Sequence, residues 1–102
     1  MFARITTYEG RPERVAEFRH AMEEHVLPAL RRLPGFQGVL VLANNESGKV
    51  LGVALWETEE SMQASEESAY WFRAYGAETA NERITGVERY HVILSELMGG
   101  QP

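Results

Sequence analysis

The sequence predicts an α+β fold of order β-α-β-β-α-β, with an antiparallel four-stranded sheet covered by helices on one face. Three observations carry the prediction. Leu33-Pro34-Gly35-Phe36 through Trp56-Glu57-Thr58-Glu59-Glu60 reads as turn, strand, hairpin, strand and helix start without a gap. An amphipathic helical pattern precedes that hairpin and a second helical region follows it. A strand-like segment lies outside each helical region, Phe2 to Tyr8 and Ile84 to Leu94. The order is that of a ferredoxin-like split βαβ unit.

Each element has a local cause. Phe2 to Tyr8 (FARITTY) is rich in β-branched and aromatic residues and ends at Glu9-Gly10, which defines the first strand. Pro12 suits the first position of a helix, where its missing N–H costs nothing. Val15, Phe18, Met22, Val26, Ala29, Leu30 and Leu33 then recur at three- and four-residue steps, giving that helix one core face. Pro28 clashes with the carbonyl four residues back, so a kink or restart is expected near Leu27, with Pro28 to Leu33 as a short separate helix. Phe36 to Leu42 (FQGVLVL) is apolar at both alternations, as a doubly buried strand is, and Asn44-Asn45-Glu46-Ser47-Gly48 supplies the turn into Lys49 to Glu57. Thr58 offers an N-cap hydroxyl, with Glu59 and Glu60 at the positive end of the helix dipole. That helical region is expected to run to about Asn81, with Met62, Ser65, Ala69 and Phe72 on one face and a break or bend at Gly76. Ile84 to Leu94 is the last strand, with Val87, Arg89, His91 and Ile93 on one side. Residues 1–95 are thus expected as one α+β domain and 96–102 as a flexible tail, with Gly99-Gly100-Gln101-Pro102 frayed.

Composition excludes several classes of function. A formal charge of −5 and the lack of any basic run longer than Arg31-Arg32 oppose nucleic-acid binding. Without cysteine there is no disulfide, zinc-thiolate site or thiol nucleophile. No apolar run approaches the roughly 20 residues needed to cross a bilayer, and no signal-peptide pattern opens the chain, so a cytoplasmic protein is expected. No HxxxH or His-carboxylate spacing supports a metal, no Gly-rich phosphate loop follows the first strand, and no serine sits in a nucleophile elbow.

The hairpin strands bear on assembly. The second strand places Phe36, Leu40 and Leu42 on one face and Val39 and Val41 on the other, while the third sets Val50, Ala54 and Trp56 against Leu51, Val53 and Leu55. Helices cover one face only, and an open antiparallel face would be polar. A homodimer through the sheet face is therefore expected, leaving the space between sheet and helices as the ligand site.

The opening strand, the long helix with Pro28 that ends near Leu33-Pro34-Gly35-Phe36, and Trp56-Glu57-Thr58 at the end of the third strand together resemble the antibiotic biosynthesis monooxygenase-like (ABM-like) family. The resemblance covers roughly residues 1 to 95 and implies a dimeric α+β barrel. It also implies two enzymatic branches, oxygenases that need no metal or flavin and haem-degrading enzymes. The haem branch combines a strand-one asparagine, a tryptophan near the end of strand three and a histidine in the second helical region. Here Thr6 and Thr7 occupy strand one, Trp56 fits, and residues 58–83 contain no histidine. The expectation is a cofactor-independent monooxygenase acting on a small phenolic or quinone-like aromatic compound, with no cofactor. A non-catalytic small-molecule-binding or interaction dimer is the alternative.

The candidate site residues are few. Trp56 stands where related oxygenases place a tryptophan beside substrate, and is equally readable as a core residue. Tyr70, Trp71, Phe72 and Tyr75 are too dense for one helical stripe, so some face a cavity, a partner or water: Phe72 continues the core face of Met62 and Ala69, Trp71 and Tyr75 share a neighbouring face, and Phe72 and Tyr75 are candidate substrate contacts beside a reading as core and dimer contact. Arg73 offers a fork of donors to an anionic ligand or to solvent. His25 and His91 are the catalytic candidates, each able to shuttle a proton near neutral pH or to hydrogen-bond in a core.

Overall fold

A computed structural model describes residues 1–97 of the chain. The expectation for Gly99 to Pro102 lies outside these residues. Strand β1 (Phe2–Glu9) leads through a 3₁₀ turn at Pro12–Arg14 into α1 (Val15–Ala21), a π-helical turn (Met22–Val26) and α2 (Leu27–Leu30). The hairpin is β2 (Phe36–Ala43) and β3 (Val50–Trp56), followed by α3 (Glu59–Ala64), α4 (Glu66–Thr79) and β4 (Arg83–His91). The sheet order is β2-β3-β1-β4, every neighbouring pair antiparallel. This is the ferredoxin-like α+β architecture, with the helices on one face.

Pro28 acts where expected. It cannot donate to the carbonyl four residues back, and the preceding turn widens to π geometry before α2 starts at Leu27. Thr58 caps α3, its Oγ1 accepting from the Ser61 N–H at 3.0 Å, and Ser61 completes a reciprocal capping box.

Three expectations are corrected. The second helical region breaks at Ser65 rather than Gly76, because the Ser65 hydroxyl donates to the Met62 carbonyl at 2.7 Å and competes with the helical ladder. Gly76 instead sits inside α4, where an added Cβ would lie 3.3 Å from the Phe18 ring, so its small size sets the approach of α1 to α4. In β2 a bulge adds one residue between Phe36 and Gly38, so Phe36 opposes Trp56 while Val39 opposes Ala54. Phe36 therefore shares the helix-facing side with Val39 and Val41, leaving Leu40 and Leu42 outside. In the single chain β2 is the sheet's edge, and its outer face leaves Leu40 44% and Leu42 49% exposed. Finally β4 stops at His91, because β1 begins at Phe2 and only the Val92 N–H finds a further partner, the Met1 carbonyl at 2.9 Å.

Two clusters fill the space between sheet and helices. Tyr8, Phe18, Val50, Ala77 and Ala80 form one; Val26, Leu30, Trp56 and Met62 form the other. Arg4 and Thr6, both buried, separate them on β1.

Candidate functional site

Alternation along β1 aims Arg4, Thr6 and Tyr8 at the helices, and this polar row forms the floor of a cavity. Gly52, Ala54 and Val39 complete its sheet wall, and Met22, Val26, Leu30, Ala69, Phe72 and Arg73 its helix wall. This cavity measures about 50 Å³. Met22, Leu30 and Val39 also line an apolar trough of about 440 Å³ beside the open edge of β2, with Phe18, Leu27, Val41 and Val50. Arg19 and Glu23, paired at 2.9 Å, stand on its solvent side. The space is amphipathic: a polar end under α4 and an apolar run toward β2.

The polar end is held by an ion network. Arg4 Nη2 donates to the Met62 carbonyl at 2.7 Å, to Ser65 Oγ at 2.8 Å and to Glu66 Oε2 at 2.8 Å. Arg89 grips the same carboxylate through Nε at 2.9 Å and Nη2 at 2.7 Å. Arg73 is different. Its Nη1 is buried and has no hydrogen-bond partner among the described residues.

The structure brings Phe72 and Arg73 to the cavity and leaves the other candidates elsewhere. Trp56 is 0% exposed, packed with Phe36, Leu30 and Met62 and lying 5.7 Å from the Arg4 guanidinium carbon, so it stands behind the cavity and outside its walls. Tyr75 and His25, ring centroids 5.2 Å apart, face a surface groove with Trp71 and Glu78 that shares only Val26 and Phe72 with the cavity lining. His91 is exposed at the end of β4 and stacks on Phe2 at 4.8 Å. Sequence reasoning missed Arg4, Thr6 and Tyr8. Their signal was a polar row on alternate positions of a strand with a helix-covered face.

The model of the family described as antibiotic biosynthesis monooxygenase matches residues 1–77. The chain belongs to this family. Among curated relatives, an uncharacterised Mycobacterium tuberculosis protein is 37% identical over 67 residues, 66% of this chain but 28% of that protein's length. The chain thus matches well under half of that relative. Among solved structures, a monooxygenase from Streptomyces coelicolor in complex with nanaomycin D aligns over 97% of this chain and 92% of its own, with 17% identity and a TM-score of 0.69. The Mycobacterium tuberculosis heme-degrader MhuD, with two hemes bound, aligns over 94% and 99%, with 23% identity and a TM-score of 0.67. SnoaB, a cofactor-independent oxygenase from Streptomyces nogalater, aligns over 92% and 94%, with 14% identity and a TM-score of 0.67. These likenesses establish the antibiotic biosynthesis monooxygenase fold. Among the described residues no helix is long and apolar enough to cross a membrane, and no group of three or more metal-binding side chains occurs.

In this family member, burial pushes the Tyr8 hydroxyl up to about 12 against the pull of Arg73, so it stays a neutral donor. Burial and the neighbouring Arg4 charge both lower Arg73, yet a guanidinium remains protonated. The Arg89 hydrogen bonds, aided by Arg4, bring Glu66 down to about 2. A carboxylate depressed in the folded state contributes stability that is complete above its unfolded value near 4.5 and is lost as pH falls toward 2. Glu66→Gln should therefore unfold at a lower temperature than wild type at neutral pH, and the gap should close between about pH 4.5 and 2. A gap that stays constant with pH would show that the charge network is not its source.

Proposed function

We propose that the chain is a cofactor-independent monooxygenase acting on a small phenolic or quinone-like aromatic compound. The observation that carries this reading is the buried Arg73 Nη1, unpartnered among the described residues and near Tyr8, at the polar end of an otherwise apolar space. An aromatic ring suits the trough by size and lining, and its oxygen suits the donors of the inner cavity. Such a substrate needs no bound reductant. A phenol with a free para position gives a quinone and water with one O₂, the phenol supplying the electrons, its para C–H hydrogen and its hydroxyl proton; where that proton is already in solvent, the product is quinone and hydroxide, which recovers it there. The solved neighbours described as a monooxygenase with nanaomycin D and as a cofactor-independent oxygenase support the same reading by fold. Haem degradation is not proposed, since residues 58–83 hold no histidine and strand one holds no asparagine.

Oxygen uptake with a panel of naphthols that have a free para position, in chelator-treated buffer, tests the reading. Turnover should yield quinone and fall by about tenfold or more in Arg73→Met, the loss expected for a charged hydrogen bond. Ligand binding without oxygen uptake for any compound would favour the second reading, a small-molecule-binding module. That reading draws on the cavity walls having no histidine.

We also propose a homodimer through the sheet face opposite the helices. Leu40, Leu42 and Tyr90 are each more than 40% exposed there, beside half-buried Ile5, Leu51, Val53 and Leu55. A second copy is the simplest cover for such a face.

A further inference from the structure

Resting on the monooxygenase reading of the same cavity, we infer that its substrate is taken up already ionised, as the anion of an acidic phenol, enol or hydroxyquinone. Among the described residues, the cavity lining offers an oxyanion donors and positive charge but no histidine or carboxylate to take a proton. Arg4 and Arg73 line it, and Arg89 stands close behind. The one carboxylate among them, Glu66, has both oxygens engaged by Arg4 and Arg89. Three guanidinium groups thus face one committed carboxylate, in a chain whose formal charge is −5. The local sign is opposite to that of the whole molecule, and the excess cation includes the unpartnered Arg73 Nη1.

Possible bases all lie elsewhere. His25 sits against Tyr75 in the outer groove, His91 against Phe2, and His20 is exposed on α1. Glu82, buried without a partner among the described residues and with its carboxyl pKa raised by burial, acts electrostatically on Tyr8, but it lines a different recess with Glu9, Gly10, Arg11 and Arg83 and is not among the residues that line the cavity. Thr6 and Tyr8 are neutral hydroxyls, and Tyr8 titrates far too high to accept a proton at neutral pH. A neutral phenol arriving here would have no group to take its proton, whereas an anion pairs at once with Arg73 and Tyr8. The proton is therefore lost to solvent before binding, and ligand acidity becomes a determinant of specificity.

The test is a binding titration on the full chain with 2-hydroxy-1,4-naphthoquinone, 1-naphthol and the methyl ether of each, between about pH 4 and 10. The ionised hydroxyquinone should bind about tenfold or more tightly than its ether at neutral pH. That advantage should disappear as pH falls through the ligand's own pKa, and for 1-naphthol it should appear only at alkaline pH. Arg73→Met should abolish it and Arg73→Lys should restore part of it, with thermal unfolding showing that both variants fold. Equal affinity for ether and anion would overturn the inference while leaving an aromatic site in place. The same result follows from a midpoint near the histidine range that is identical for both acids. Failure of all four compounds to bind would remove the aromatic-site reading itself, and the inference with it.

Discussion

Trp56→Ala should lower stability by about 3 to 5 kcal/mol, the cost of emptying a large buried aromatic site. Trp56 is 0% exposed and joins β3 to the helices through Val26, Leu30 and Met62, with the Phe36 ring edge-on at 5.6 Å. Its loss also removes the face under Arg4, whose guanidinium carbon lies 5.7 Å from the ring. Arg4 would keep its bonds to Met62, Ser65 and Glu66 with one side unsupported. Trp56→Phe should cost much less, since the indole N–H is buried without a hydrogen-bond partner among the described residues and no bond is broken by removing it. Because the cavity walls do not include Trp56, Trp56→Phe should also bind aromatic ligands about as the wild type does. Denaturant unfolding at fixed protein concentration, with ligand titration in parallel, checks both statements. A Trp56→Ala protein of near wild-type stability would refute the core role, and a Trp56→Phe protein that folds normally but loses ligand would move Trp56 into the site.

The order of elements was legible because local chemistry settled it. Pro28, Pro34-Gly35, the turn from Asn44 to Gly48 and the Thr58 cap each act within a few residues, and the structure places element ends close to them. What stayed hidden depends on contacts distant in sequence. The β2 bulge rotates Phe36 onto the helix face, and alternation counted along a strand passes over an extra residue. Ser65 breaks the second helical region as part of a network anchored on Arg4, 61 residues away. A break at Gly76 was the local reading, and packing against Phe18 overrode it. The site divides in the same manner. Helical spacing puts Phe72 on the inward side of α4 with Met62 and Ala69, whereas Arg73 reads from sequence only as a donor fork open to ligand or solvent, and its nearness to Tyr8 exists only once β1 lies under α4. His25 and His91 have the chemistry of a proton shuttle, but their elements set them against Tyr75 and Phe2 and outside the cavity lining.

Val53→Glu should convert the proposed dimer into monomers without unfolding the chain. Val53 is half-buried on the outer face of β3, an interior strand of the sheet, between Ile5 of β1 and Leu40 of β2. In a two-fold interface across this face the substitution appears twice, and each copy puts an unpaired carboxylate into an apolar contact. Effective penalties for burying such a charge are several kcal/mol per ion. Two copies should therefore weaken association by about a thousandfold or more. In the isolated protomer the same side chain faces water, so the fold should tolerate it. The control lies on the opposite side of the molecule: Trp71 is 65% exposed on α4, and Trp71→Glu should leave the association state unchanged. Sedimentation velocity at micromolar concentration, with circular dichroism on the same samples, separates the outcomes. A wild-type monomer would refute the dimer outright, a Val53→Glu dimer would exclude the sheet face, and dissociation by Trp71→Glu alone would assign the contact to α4, where Tyr70, Trp71 and Tyr75 present the competing apolar surface.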